Sequence, residues 1–472
     1  MDTAGTTVER TRESASWLGH VRATLVLGLP LAGAQLAQMG INVTDTVMVG
    51  RLGTAELASA VLATQFFHLV WMLGSGFAIA VMPMAASAVG QGDSRAVRRS
   101  VRMGLWVCAL FSALALPLLM NTHAIMLALG QDPRVAELAG TYMSFLQWAM
   151  FPALTVIVFR SYLSALERPS VVLLVTLFGL AFNALVAYAF IYGNLGAPAL
   201  GVAGAGLAGL LTMSLMAVIL ALYCQRKGDL KRYELFVRFW RPDWQGFFEV
   251  VRLGWPIGAT IVAEVGLFAA SSIMVGWIGT VELAAHGIAL QLASIAFMIP
   301  LGLASAATVR VGLAYGRRDA HGVGRAARAA VIVGLSIAIV AALLFISLPQ
   351  TLIGFYLDRS DSSAAAVLAY AIPLLAVAAA FQLFDTMQAL ASGILRGLKD
   401  TRVPMVFAIV SYWLVGMPAA YILAFPLEMG GVGVWAGLGL GLLAAAGSMS
   451  ARFLRRERTG QILQGAGQSF KV

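Results

Sequence analysis

The chain has 472 residues, 60% hydrophobic and 11% charged, with 32 Lys and Arg against 22 Asp and Glu. A water-soluble domain carries about a quarter charged residues because its surface must be wetted, and charge this scarce excludes that class. The net charge of +10 would suit a nucleic-acid binder, but its placement along the chain excludes that as well. Residues 1–22 are polar and mixed in charge, without the apolar region and small-residue cleavage site of a signal peptide, and are expected to form a cytoplasmic tail. Apolar segments follow at 23–48, 56–82, 97–119, 135–157, 169–191 and 202–224. After a basic loop over 225–248 come six more, at 249–276, 284–309, 326–347, 364–394, 404–425 and 433–451, and then a tail over 452–472. Each approaches the roughly 20 residues that carry an α-helix across about 30 Å of hydrocarbon. None alternates as barrel strands do. The chain is therefore expected to be an all-α polytopic membrane protein of about twelve transmembrane helices.

The basic residues support this segmentation. All of the 32 Lys and Arg except Arg51, Arg134 and Arg359 fall on one side of the proposed membrane. The positive-inside rule makes that side cytoplasmic, with both termini there. The charge then serves topology and contact with anionic lipids rather than nucleic acid. Cys108 and Cys224 both lie in or at the end of apolar segments, which argues against a disulfide framework or a metal site. The chain shows no phosphate-binding loop and no nucleophile or metal-ligand motif, so neither ATP drive nor enzyme chemistry is expected.

An internal repeat is visible without gaps. Residues 28–58 align with 254–284 through Gly28/Gly254, Pro30/Pro256, Ala37/Ala263, Gly40/Gly266, the Met48-Val49-Gly50 run, Gly53-Thr54 and Glu56-Leu57-Ala58. The same offset continues through Gln65/Gln291, Gly76/Gly302, Gly90/Gly316 and Asp93/Asp319. The chain thus reads as two six-helix lobes, 23–224 and 249–451, joined by the cytoplasmic loop 225–248. An even helix number gives both halves the same orientation, so the expected pseudo-two-fold axis runs along the membrane normal, as in parallel-repeat transporters.

Three acidic residues fall inside the apolar segments: Asp45, Glu264 and Asp385. A charge at mid-membrane costs roughly 2.5–3.5 kcal/mol on insertion scales, and no Lys or Arg is expected within these three helices to offset it. Around them lie polar stripes at helical spacing: Gln35, Gln38, Asn42 and Asp45 in the first helix; Thr260, Glu264 and Ser271 in the seventh; Asp385, Gln388 and Ser392 in the tenth. Amides and hydroxyls can serve simply as hydrogen bonds between helices. A carboxylate among oxygens can hold a hard cation such as Na+, or take up a proton. In the repeat Glu264 falls opposite Gln38, and Asp45 opposite Ser271, so the two lobes carry their acids at different places. Asn183 is an isolated amide in the fifth helix. His68 and His286 are read as packed or hydrogen-bonded, and Trp71, Met72, Phe268, Phe381, Gln388 and Gln291 as candidate cavity lining.

The segments DTVMVGRLG at 45–53, AEVGLF at 263–268, ELAAHGIALQ at 282–291 and FDTMQALASGILRGLKD at 384–400 resemble the multidrug and toxic compound extrusion family, in particular its bacterial NorM-like branch. The resemblance spans nearly the whole chain. It implies an inner-membrane antiporter that exports cationic, amphipathic drugs and dyes in exchange for Na+ or H+, with no cofactor beyond that ion; a monomer is the expected state. It also implies that Glu264 and Asp385 match the acids of the C-lobe cation site, with Na+ a candidate occupant. Asp45 matches the N-lobe acid, and Asn183 a polar residue near it. Two positions depart from the family pattern: Phe381 stands where relatives have a Tyr, removing a ligand oxygen, and Ala187 replaces a second N-lobe Asn. A lipid or lipid-linked oligosaccharide flippase of related two-lobe fold is the alternative; it would call for additional helices or a basic cluster inside the cleft, and neither is evident.

Overall fold

The computed structural model describes residues 17–357 and 363–464. Arg10, Arg12, Arg359 and Lys471, with residues 1–16 of the expected N-terminal tail and 465–472 of the C-terminal one, lie outside the described residues. Among the described residues twelve helices are long and apolar enough to cross a membrane. They are α1 (Trp17–Gly50), α2 (Thr54–Gln91), α3 (Ser94–Met120), α4 (Pro133–Ala165), α5 (Pro169–Tyr192) and α6 (Val202–Arg226), then α7 (Trp244–Gly276), α8 (Thr280–Gly316), α9 (Ala320–Ser347), α10 (Ala364–Gly397), α11 (Arg402–Ala424) and α12 (Gly430–Arg458). Water cannot satisfy backbone groups in hydrocarbon, so each crossing closes its own hydrogen bonds.

Several helices extend past the expected bounds, and the reasons are local. α1 begins at Trp17 inside the expected tail. Its opening turns are tied down by Arg310 on α8, which donates to the His20 carbonyl (2.7 Å), to Thr24 Oγ1 (2.5 Å) and to His20 Nδ1 (2.6 Å). α7 begins at Trp244, inside the expected 225–248 loop. Asp243 starts it by accepting from the Gly246 N–H (3.0 Å) while pairing with Arg99 on α3. α10 runs on to Gly397 and so takes in Arg396. The absence of Lys and Arg expected for these helices is corrected: the extensions of α1 and α10 take in Arg22 and Arg396, and Arg252 lies in α7 within the expected 249–276 itself.

The repeat is written into the caps and crossings. Asp93 accepts from the Arg95 and Ala96 N–H groups at the start of α3, and Asp319 accepts from Gly322 N at the start of α9. Both hold nearly the same backbone angles, φ −90° and −95°, as side-chain caps require. The repeated glycines mark close crossings. A Cβ on Gly76 of α2 would lie 2.5 Å from the Gly254 carbonyl oxygen on α7, and one on Gly302 of α8 would lie 2.7 Å from the Gly28 carbonyl oxygen on α1. Small residues let backbones meet where lipid gives no hydrophobic drive to helix pairing.

These crossings match the two compact units of the chain. One holds residues 33–259; the other holds the residues up to Ala32 and those from Thr260 onward. The unit boundaries fall inside α1 and α7 rather than in the loops that divide the sequence into 23–224 and 249–451. In the 33–259 unit the opening turns of α7 pack on α2 through Gly254, Gly258 and Gly76. In the other unit the opening turns of α1 pack on α8 through Gly28 and Gly302.

Gly76→Ala and Gly302→Ala are each expected to destabilise the protein by about 1–3 kcal/mol, the cost of overpacking a tight contact. Gly447→Ala, whose added Cβ would meet nothing within 4 Å, serves as the control. Thermal unfolding in detergent measures all three; equal midpoints across the set would refute the crossing role.

Candidate functional site

Within the 33–259 unit, Asp45 on α1 is the end of a hydrogen-bond chain. Asn183 on α5, fully buried, donates through Nδ2 to Asp45 Oδ1 at 2.6 Å. Thr212 on α6, also fully buried, donates to Asn183 Oδ1 at 3.0 Å. The hydroxyl occupies the amide oxygen, so the amide nitrogen must face the carboxylate. Three helices thereby hold one acid in one orientation. Tyr142 on α4 lies within electrostatic range of Asp45 and takes a hydrogen bond from Thr64 on α2 (3.2 Å). Ala187, one turn beyond Asn183, is buried and offers no polar atom, so this acid has one amide from α5 rather than two.

The rest of the α1 stripe does not gather at Asp45. Gln35 accepts from Arg160 on α4 at 2.8 Å, a bond between helices. Gln38 is half-buried and Asn42 exposed. Trp71 and Met72 are half-buried on α2, where Trp71 meets the His68 ring edge-on at 5.7 Å. His68 Nδ1 bonds the Thr64 carbonyl at 2.9 Å.

In the other unit Glu264 on α7 and Asp385 on α10 come within electrostatic range of each other. Asp385 is 4% exposed, whereas Glu264 is half-buried. The Oδ1 atom of Asp385 is buried without a hydrogen-bond partner among the described residues. So are both polar atoms of the Gln382 side chain and the hydroxyls of Thr386 and Tyr412. A buried polar group left unpaired costs about 1–3 kcal/mol, and these groups of α10 and α11 are not spent on bonds between helices. Arg396, one turn beyond Ser392 on α10, sits within electrostatic range of Glu264 and donates to Ser392 Oγ at 3.3 Å. Glu264 thus has a basic neighbour from the last turn of α10, beyond the end at 394 expected for that helix.

An aromatic wall backs this region. Phe381 packs edge-on against Trp435 of α12 (5.1 Å between centroids) and Phe268 of α7 (6.0 Å). Trp435 Nε1 donates to His286 Nδ1 at 3.0 Å, and His286 Nε2 faces Ser272 Oγ at 3.1 Å. Indole can only donate, so His286 carries its proton on Nε2. His286 is therefore hydrogen-bonded and packed, as the sequence suggested. Gln388 is buried beside Asp385 on α10, and Gln291 is half-buried on α8.

Four contributors escaped the sequence reading: Thr212, Arg396, Tyr412 and Trp435. Thr212 and Tyr412 are isolated polar atoms in apolar runs, the same kind of signal that singled out Asn183. Arg396 falls beyond the expected end of its helix at 394, and Trp435 has no mark in the sequence that sets it apart from other apolar residues. No group of three or more His, Cys, Asp or Glu side chains poised for a metal ion occurs among the described residues. What the site offers is oxygen, which suits a hard cation or a proton.

The chain and its fold have relatives among known proteins. The MatE family model matches twice, over residues 30–189 and 256–422, each match opening on a proline of the repeat. A protein of Rhizobium meliloti (strain 1021), "Probable multidrug resistance protein NorM", is 54% identical over 440 residues, covering 93% of this chain and 94% of that protein. A protein of the same name from Agrobacterium fabrum is 50% identical, over 93% of this chain and 95% of its own length. Among solved structures, one described as MATE in the bent conformation superposes with a TM-score of 0.86 at 18% identity, covering 97% of this chain and 99% of that one. The eukaryotic MATE transporter AtDTX14 superposes with a TM-score of 0.83 at 21% identity, over 94% and 99%. These structural likenesses show the shared fold. The two family-model matches, one in each half of the repeat, together with relatives at half identity over almost their full length, show that this chain belongs to the MatE family.

Proposed function

We propose that the chain is a multidrug efflux antiporter of the bacterial inner membrane, both termini cytoplasmic, exporting cationic amphipathic compounds in exchange for Na+ or H+ by alternating access. The observation that carries this reading is the Glu264–Asp385 pair, two carboxyls brought together in an apolar interior with buried oxygen left unpartnered. The names of the Rhizobium and Agrobacterium relatives, multidrug resistance proteins rather than enzymes, support the substrate class.

The exchange follows from the cost of the bare site. Each ionised carboxylate away from water is unfavourable by roughly 2.5–3.5 kcal/mol on insertion scales. Arg396 offsets part of this at Glu264, and Asp385, nearly fully buried, needs a cation or a proton. A cationic drug and the coupling ion then compete for the same negative charge, so arrival of one favours release of the other. Asp45, held by Asn183 and Thr212, is the second participant; its carboxylate is already hydrogen-bonded and so is better placed to respond to a ligand than to bind an ion alone.

Purified protein in liposomes loaded with ethidium, with Na+ and pH gradients imposed separately, tests the reading and identifies the ion. Glu264→Gln and Asp385→Asn are expected to slow gradient-driven efflux at least about tenfold, equivalent to about 1.4 kcal/mol, at unchanged expression. Normal efflux in both variants would sink the coupling site. One monovalent ion exchanged for one monovalent drug moves no net charge. Efflux at that stoichiometry is then expected to ignore an imposed membrane potential, although each uncompensated charge would gain about 2.3 kcal/mol per 100 mV. A rate that rises with potential would rule out one-for-one exchange.

A further inference from the structure

The unpartnered phenol of Tyr412 lies in a local break of helical geometry. Residues Val410–Gly416 of α11 form a π-helical turn, closed by the Met417 N–H on the Tyr412 carbonyl. Pro418 follows directly; its ring would clash with the carbonyl four residues earlier, and a widened turn relieves that clash. Turns of this kind are rare and concentrate at functional sites. This one is docked beside Glu264. Trp413 Nε1 donates to the Ala263 carbonyl at 3.3 Å, and its ring closes on Gly266, where a Cβ would lie 3.2 Å away. The turn is thereby anchored on α7 at the residues flanking the acid.

Tyr412 itself is fully buried, within electrostatic range of both Glu264 and Asp385. The Gln388 amide approaches the phenol without completing a hydrogen bond. A buried tyrosine hydroxyl ordinarily finds a partner, and for packing alone a phenylalanine would serve. Two unpartnered buried oxygens, the Tyr412 hydroxyl and Asp385 Oδ1, therefore belong to one small region with a second carboxylate at its edge.

We propose that the Tyr412 hydroxyl is a direct ligand of the coupling cation, completing with Glu264 and Asp385 an oxygen site built from α7, α10 and α11. A hard cation takes oxygen donors, and a neutral phenol adds one without adding negative charge to a site that already holds two carboxyls. With Na+ the phenolic oxygen coordinates the ion. With H+ it hydrogen-bonds the carboxyl that takes the proton. This inference rests on the coupling-site reading above.

The test uses the full-length protein in proteoliposomes, with ethidium efflux titrated against Na+ at fixed pH and against pH without Na+. Tyr412→Phe removes only the hydroxyl. It is expected to raise the half-saturating concentration of the coupling ion, Na+ or H+, at least tenfold, in whichever titration Asp385→Asn abolishes. Because that hydroxyl has no partner to lose, the melting midpoint without Na+ is expected to stay at or above that of the unsubstituted protein. A Tyr412→Phe titration within twofold of the unsubstituted protein, while Asp385→Asn loses its response, would remove Tyr412 from the site and leave the coupling reading intact. A lowered melting midpoint would assign the hydroxyl to packing and overturn the inference. Unaltered titrations in Glu264→Gln and Asp385→Asn as well would overturn the coupling site itself.

Discussion

Hydrocarbon offers no partner to a backbone N–H or carbonyl, and the cost of leaving one unmet forces every crossing of this chain into a closed helix. Apolar side chains gain little by leaving lipid for another helix, so association depends on close approach, small residues and a few polar bonds. Gly76 with Gly254, and Gly28 with Gly302, bring backbones together, and the Thr308 hydroxyl on α8 bonds the Gly393 carbonyl on α10 at 2.8 Å. Departures from regular helix occur where something else sustains them. The π turn of α11 is held by Trp413 on the Ala263 carbonyl, and the extended start of α1 by Arg310.

Against that background the acids are the expensive residues, and the two units treat theirs differently. Asp45 is supplied with a donor by Asn183, itself oriented by Thr212, so its charge is compensated by fixed dipoles. Asp385 has one oxygen with no such donor, and its neighbours Gln382, Thr386 and Tyr412 carry unspent polar atoms. Glu264 is eased by Arg396 instead. Duplication gave both halves the same backbone instructions, in the Asp93 and Asp319 caps and the crossing glycines, while side chains diverged to give one dipole-held acid and one oxygen-rich pair. The two halves therefore share a backbone plan and differ in how each holds its acid.

Much of this was legible from the chain by itself. Helix number, the repeat and the three acids are sums over contiguous residues, since a window of about 20 apolar residues reports its own burial and a charge inside it is conspicuous. The resemblance carried by the 45–53, 263–268, 282–291 and 384–400 segments agrees with the family match. The partners could not be read this way. Asn183 lies 138 residues from Asp45, and Trp435 lies 149 residues from His286; which isolated polar side chain faces which is decided by helix rotation and crossing, and a hydropathy window is blind to both. Only the folded arrangement separated Gln35, spent on Arg160, from Asp45 at the other end of the same stripe. It brought Arg396 inside α10, divided the compact units within α1 and α7 instead of at the loops, and set the Tyr412 phenol near both carboxyls, because each of these depends on atoms that the chain brings together only by packing.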